Sequence, residues 1–147
     1  MEYSVFSNDN AIDIINQLGE QQFENFCFTF FASLGLTNIE AVRALEIGGV
    51  TGKGTIELGI VLSYHFVFLG IQHVEAVPEE AIQELRDVME NKTNKGLILT
   101  TGSFSRQAKR AAKIKGKVPI DLIDRNDLIH RLKNRQLRIS PETGKVF

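Results

Sequence analysis

A run of basic side chains without an acidic neighbour occupies residues 103–117 of this sequence. If the segment is helical, four of them fall at positions i, i+3, i+4 and i+7 and share one face. We call this set the basic stripe: Arg106, Lys109, Arg110 and Lys113. Lys115 and Lys117 extend the positive charge. The stripe predicts phosphate contacts with duplex DNA, because such contacts release counterions. The alternative is a solvated helix face. No aromatic residue lies between the stripe residues, so base stacking on a single strand is not indicated.

The net charge of −1 hides an asymmetry between the two halves of the chain. Residues 1–85 carry two basic and twelve acidic side chains, whereas residues 86–147 carry fifteen basic and six acidic ones. A basic C-terminal half favours binding to nucleic acid. Equally, the two halves could neutralise each other within the fold or across a homodimer. Charge alone leaves these alternatives open.

The composition is that of an ordinary globular protein, with 43% apolar and 24% charged residues, and we expect one domain over residues 1–147. The first ten residues carry two acids and no base, which argues against a secretory signal. The most apolar run, residues 58–71, is interrupted by polar residues and is shorter than the roughly 20 residues of a membrane span. Cys27 lies among phenylalanines, which predicts a buried, reduced thiol. These features predict a cytoplasmic protein without membrane contact.

Apolar periodicity and capping residues predict the elements that position these side chains. Helices are predicted at residues 8–18, 20–34, 78–91, 104–115 and 125–133. Strands are predicted at residues 38–47, 55–62, 65–73, 95–101 and 118–124. The short link at residues 63–64 predicts a hairpin, and the β-α-β-α order after it predicts parallel pairing of residues 95–101 with 118–124. The sequence therefore predicts an α/β fold, with a mixed sheet covered by helices on both faces.

Four stretches of the C-terminal half follow one another in a recognisable order. They read AIQELR at residues 81–86, KGLILTT at 95–101, SFS followed by spaced alanines from 103, and IDLID at 120–124. In this order and spacing the chain resembles the Mrr-type restriction endonucleases, of the PD-(D/E)xK nuclease superfamily, over residues 23–132. The resemblance implies a restriction-endonuclease-like α/β fold, duplex DNA as a partner, and Mg²⁺ as the cofactor of an active enzyme. Scaffold motifs of this kind report fold more than chemistry.

The catalytic motifs of that family align with the N-terminal half, where this sequence departs from them. The family's Gly-Asp-Gly-x-Ile-Asp stretch aligns with residues 52–57, so Glu57 takes the place of the metal-binding aspartate and Lys53 that of an acid. The family's Gln-x-Lys step aligns with Gln72 and Val74, so its lysine is missing. Glu24 matches the family's accessory glutamate. The resemblance thus implies a catalytic set with Glu57 as the metal ligand: Glu24, Lys53, Glu57 and Gln72.

A working site of this kind requires converging carboxylates and a group that activates water. Residues two apart on a strand share a face, so Gln72 and Val74 are expected on the site face and His73 on the other. Valine cannot hydrogen-bond a water. The longer side chain of Glu57 displaces its carboxylate by about an ångström, which can cost on the order of 10²-fold in rate.

Three hypotheses remain. The first is a DNA-engaging protein whose catalysis is impaired or lost. The second is an active Mg²⁺-dependent DNA endonuclease with a rearranged site, in which Lys53 supplies the missing cation. The third is a non-catalytic structural or interaction module that kept only the fold. Metal-dependent cleavage separates the second from the first, and salt-dependent DNA binding separates both from the third.

Overall fold

The computed structural model describes the backbone of residues 8–147 and the side chains from Ala11 onward. Its helices are α1 (Asn8–Gln17), α2 (Glu20–Ser33), α3 (Glu79–Asp87), α4 (Arg106–Ala112) and α5 (Arg125–Asn134). Its strands are β1 (Thr37–Ala41), β2 (Val50–Leu58), β3 (Leu62–Ile71), β4 (Ala76–Val77), β5 (Lys95–Thr100), β6 (Ser103–Phe104) and β7 (Ile120–Ile123). The predicted order of helices and strands is recovered, with the short strands β4 and β6 in addition.

Five of these strands form one mixed sheet in the order β1-β2-β3-β5-β7. β1 and β2 pair antiparallel, as do β2 and β3, which form the central hairpin. β3 pairs with β5, and β5 with β7, in parallel. The predicted parallel pairing of residues 95–101 with 118–124 is therefore confirmed. The two short strands β4 and β6 form a separate parallel pair. A hairpin followed by helical crossovers gives the predicted α/β class.

Helices cover both faces of the sheet. On one face, α1, α2 and α5 pack over Phe68 of β3 and Leu99 of β5. The ring of Phe31 on α2 lies 4.4 Å from that of Phe68, centroid to centroid, so the periodic phenylalanines are core residues as predicted. On the opposite face, α3 and α4 pack over Leu69 and Ile98. Among residues 8–147, no helix has the length and apolar character needed to cross a membrane.

The turn of the central hairpin lies earlier in the chain than predicted. Leu58 pairs with Leu62, so the turn is residues 59–61 and not residues 63–64. Gly59 has a φ of 71°, a left-handed conformation that glycine adopts at little cost. The shift matters because it changes which residue of β2 lies opposite each residue of β3.

The first strand is also shorter than predicted. It ends at Ala41 rather than at residue 47, and the chain then turns through Gly48 and Gly49 before β2 begins at Val50. The two glycines have φ values of 89° and 84°, which β-branched or bulky residues rarely adopt. A glycine pair at residues 48–49 therefore lies directly before β2, in addition to Gly52 and Gly54 within the strand.

The helix of the basic stripe ends three residues before the predicted boundary. Arg86 on α3 donates to the carbonyl oxygens of Ala111 and Ala112, at 2.6 and 3.3 Å, and so satisfies groups that another helical turn would have used. Lys113 is consequently the C-cap of α4. Lys115 and Lys117 lie in the loop that follows, where both are exposed.

Candidate functional site

Glu57 lies near the tip of the central hairpin. It pairs with Ser63, one step before the last pair of the hairpin, and is exposed. Strand alternation places its side chain on the face opposite to Ile56, which packs against the core formed by α1, α2 and α5. At the turn itself Ile60 and Val61 are almost fully exposed. Such apolar side chains are not metal ligands, so Ile60 and Val61 supply no side-chain oxygen beside Glu57.

Gln72 lies at the opposite end of the hairpin, just after β3. Its Nε2 donates to the carbonyl oxygens of Ile15, at 2.7 Å, and Leu18, at 3.4 Å. These carbonyls lie at the end of α1 and lack partners within that helix, so Gln72 acts as a C-terminal cap. His73 follows with a φ of 63°, which ends the strand alternation. The expectation that Gln72 and Val74 share a face of one strand is therefore wrong.

The hairpin keeps Glu57 and Gln72 apart. The partner of Glu57 is Ser63, nine residues before Gln72, which corresponds to roughly 30 Å along an extended chain. Gln72 reaches α1, on the face that Glu57 does not share. The two members of the predicted set are thus not brought into one site.

Lys53 lies on β2 between the tip and the start of the strand, opposite Val67. Its Nζ is 3.5 Å from a carboxylate oxygen of Glu40 and 3.6 Å from one of Glu90. Both ion pairs are partly exposed, and together they compensate the charge of Lys53 within the fold. The lysine is therefore not directed toward Gln72.

Glu24 lies on α2, above the end of the hairpin that holds Gln72. It is half-buried and belongs to the same turn as Cys27, whose Sγ would be 2.4 Å from a Cβ added at Gly70. Cys27 is fully buried, which confirms the predicted buried thiol. Burial raises the pKa of that thiol, and the charge of Glu24 raises it further. Of the predicted carboxylates, Glu24 alone lies at this end.

Thr51, which the sequence did not single out, occupies the start of β2 opposite Leu69. This is the part of β2 that lies beside the last residues of β3. The side chain is 5% exposed, and its hydroxyl has no hydrogen-bond partner among the described residues. The signal that could have located it is the glycine pair at residues 48–49, which marks where β2 begins.

The Mg²⁺ implied by the resemblance does not fit these residues. Magnesium is held through one or two carboxylates together with waters and substrate phosphates. Within the described part of the chain, no three side chains of the His, Cys, Asp and Glu types lie close enough to hold a metal ion. Thr51 and Gln72 are neutral, and Glu57 lies at the far end of the hairpin.

Three residues of the basic stripe lie on α4, as predicted, and the fourth, Lys113, is its C-cap. Its four side chains are exposed and line one groove of about 980 Å³. Within the described chain, none of them forms an ion pair. The helix is held at both ends, because Ser105 Oγ accepts from the backbone N–H of Ala108 at 3.0 Å and Arg86 binds the last carbonyls. The stripe is thus a fixed array of uncompensated cations.

Three aspartates line the same groove, but each has a local partner. Asp121 lies 3.0 Å from Nζ of Lys95. Asp124 accepts from the N–H of Asp127, at 2.9 Å, and Asp127 accepts from that of Asp124, at 3.3 Å, so both carboxylates cap α5. Arg131 adds a fifth basic side chain to the groove. With five basic and three acidic side chains, the groove has a net positive charge.

Two solved structures of restriction endonucleases are similar in fold to this chain. No curated protein matches the chain significantly. The structure of the DNA modification-dependent restriction endonuclease AspBHI superposes with a TM-score of 0.71 and 21% identity over 93% of this chain. The MspJI restriction endonuclease in complex with a 27-mer oligonucleotide gives a TM-score of 0.56 and 19% identity over 88% of this chain. At these identities the likeness shows the fold alone. The chain spans 37% and 31% of the two enzymes.

The sequence itself shows the family. The family model described as restriction endonuclease, Mrr_cat, matches residues 15–132. The match runs from the last turn of α1 into α5 and includes every strand of the sheet. The chain therefore belongs to the Mrr_cat family of restriction endonucleases.

Proposed function

We propose that this chain is a DNA-engaging member of the restriction endonuclease family that does not cleave DNA with a divalent metal. The observation that carries the proposal is the residue set where the start of β2 meets the end of β3. The glycine pair at residues 48–49 is followed there by Val50 and Thr51, neither of which is acidic, and we assign this part of β2, rather than Glu57, to the position of the family's aspartate. Val74 takes the place of its lysine, and Gln72 is engaged in capping α1.

The chemistry of these residues supports the loss of cleavage. Phosphodiester hydrolysis with Mg²⁺ requires carboxylates that converge on the ion and a group that stabilises the attacking water. A buried hydroxyl carries no charge, and a valine side chain neither donates nor accepts a hydrogen bond. Glu24 would then be the one carboxylate of the predicted set near this end. A single half-buried carboxylate is a weak magnesium ligand set.

The basic stripe supports the engagement of duplex DNA. Its four side chains project from α4 and its C-cap and form no ion pair within the described chain. Lys115 and Lys117 add positive charge after the helix. An array of this kind gains affinity by releasing the counterions of the phosphates it neutralises. Three aspartates in the groove reduce its attraction for phosphates. The charge of Asp121 is compensated by Lys95, whereas Asp124 is held in a cap of α5.

Cleavage is tested by plasmid nicking with the purified chain in Mg²⁺ or Mn²⁺. We expect no nicking above background. Metal-dependent nicking that disappears in Glu57→Ala would instead support the rearranged endonuclease. A matched pair of variants sharpens the assignment: Thr51→Asp with Val74→Lys should gain weak metal-dependent nicking, whereas Glu57→Asp with Val74→Lys should not. Circular dichroism of both variants shows whether they remain folded.

Engagement of DNA is tested by measuring duplex affinity as a function of salt concentration. If the four stripe residues each neutralise one phosphate, the logarithm of the association constant should fall with the logarithm of the salt concentration with a slope of about −3.6. Absence of binding at low salt would favour the third hypothesis, an interaction module that kept only the fold.

A further inference from the structure

β7 is an outer strand of the sheet, and part of its backbone is unpaired. The N–H of Gly96 donates to the carbonyl of Pro119, and Leu97 lies opposite Asp121. This parallel register directs the backbone groups of Asp121 toward β5 and those of Ile120 and Leu122 outward. Within residues 8–147, the outward N–H and C=O groups of these two residues form no hydrogen bond. An open edge of this kind is a template for another extended chain.

The groove of about 980 Å³ runs along this edge and has a different character on each face of β7. On the face that carries α3 and α4, its wall is the basic stripe. On the other face the floor begins with Asp121 of β7, which is ion-paired with Lys95, and becomes apolar from Leu97 on the neighbouring strand to Phe66 and Ile56. Phe66 and Ile56 are only half-buried, so the sheet is uncovered there.

We propose that this edge binds an extended peptide segment of a protein partner in which acidic and apolar residues alternate. Such a segment would pair with the outward groups of Ile120 and Leu122 and add a strand to the sheet. Successive side chains of a strand point to opposite faces. One set would therefore meet the stripe, and the other would lie beside Asp121 and over the apolar floor beyond it. Because an acidic side chain would be repelled by Asp121, the groove selects acid on the stripe face and apolar side chains on the other.

The charges select this partner over the other occupants of an open edge. Two copies of β7 paired about a two-fold axis would bring two basic stripes to the same edge, and like charges so placed repel. Duplex DNA complements the stripe but has no strand to pair with Ile120 and Leu122 and no apolar side chains for the floor. A strand in which acidic and apolar residues alternate complements the stripe, the outward backbone groups and the apolar floor.

The experiment uses the full chain and a blocked octapeptide in which glutamate and leucine alternate. We expect binding by titration calorimetry, slower hydrogen exchange at the amides of Ile120 and Leu122, and at least a tenfold loss of affinity in Lys109→Glu with Lys113→Glu. The first control peptide has the same composition in two blocks, and the second is N-methylated on its interior amides. Both controls should bind at least tenfold more weakly, because one lacks alternation and the other lacks donors.

Equal binding of either control, or unchanged exchange at Ile120 and Leu122, would overturn the proposal. Self-association of the chain through these two amides in the absence of peptide would also overturn it and assign the edge to a second copy. The result is separable from the proposed function, because duplex DNA is expected to shift the amides of α4 without protecting those of Ile120 and Leu122.

Discussion

The central hairpin and the β5–α4–β7 unit use their polar side chains in opposite ways. In the hairpin, Lys53 is ion-paired on two sides and Gln72 caps a helix. On α4, by contrast, Arg106 and Lys109 are exposed and form no ion pair within the described chain. Polar groups whose bonding capacity is used inside the fold stabilise it, whereas groups left unpaired at a fixed spacing are available to a ligand. This difference is the reason that we propose binding at α4 and not at the hairpin.

The largest expected effect is the loss of DNA binding when the charge of the stripe is reversed. Changing Arg106, Lys109, Arg110 and Lys113 to Glu should weaken duplex affinity on the order of 10²-fold or more, because phosphate contacts become repulsions. The matched control changes Arg43, Lys92, Lys133 and Lys145 to Glu, since these four residues are exposed and lie outside the groove. Filter binding or fluorescence anisotropy measures both. Equal losses in the two variants would mean that net charge, and not the stripe, governs affinity.

A second prediction concerns the packing of the hairpin against α2. A Cβ at Gly70 would lie 2.4 Å from Sγ of Cys27, so Gly70→Ala should lower the free energy of unfolding by about 1–3 kcal/mol. Cys27→Ala removes the clashing atom. Urea unfolding of the double variant should therefore show less destabilisation than the sum of the two single changes. Additive effects would indicate that the backbone, and not this contact, accommodates the new methyl group.

A third prediction separates capping from catalysis at Gln72. Gln72→Ala should lower the free energy of unfolding by about 1 kcal/mol, because the carbonyls of Ile15 and Leu18 lose the amide donor of Gln72, although Ile15 keeps the N–H of Leu18. Gln83→Ala is the control, since this glutamine is exposed on α3. DNA affinity should be the same in both variants. A loss of DNA affinity without a loss of stability in Gln72→Ala would show that Gln72 takes part in DNA binding.

The smallest expected effect is at Lys53. Its two ion pairs are partly exposed, so Lys53→Ala should change the free energy of unfolding by less than about 1 kcal/mol. The salt dependence of DNA binding should not change, whereas Lys109→Ala should reduce its slope by about 0.9. A reduced slope in Lys53→Ala would show that the hairpin also contacts phosphate and would remove the contrast between the two regions.

Much of the fold was predictable because local patterns specify it. The phenylalanine period of α2 and the apolar strand of β5 each match the environment that the structure gives them. The positions of the basic stripe were equally predictable, since four residues spaced by helical turns share a face wherever the helix lies. For the candidate site, the sequence supplied the residue types and the missing lysine at Val74.

The register of the hairpin was decided only by the tertiary structure. Local signals point both ways, because Gly59 favours a turn at residues 59–61 and the polar pair at residues 63–64 favours a later one. The packing of Phe68 under α2 and the turn at Gly59 select one of them. A hairpin that turns elsewhere changes the partner of every residue in it, which separated Glu57 from Gln72 and placed Thr51 beside the end of β3.

The sequence by itself therefore determined the family, the order of elements and the spacing of the basic stripe. The tertiary structure decided which side chains meet, since contacts between distant residues depend on register and packing that no local pattern contains. It also decided which charges are compensated. Lys53 lies near Glu40 because β1 pairs with β2, and near Glu90 because the turn after α3 lies beside β2. The open edge of β7 is likewise a property of the tertiary structure, because the strand order of the assembled sheet leaves it unpaired.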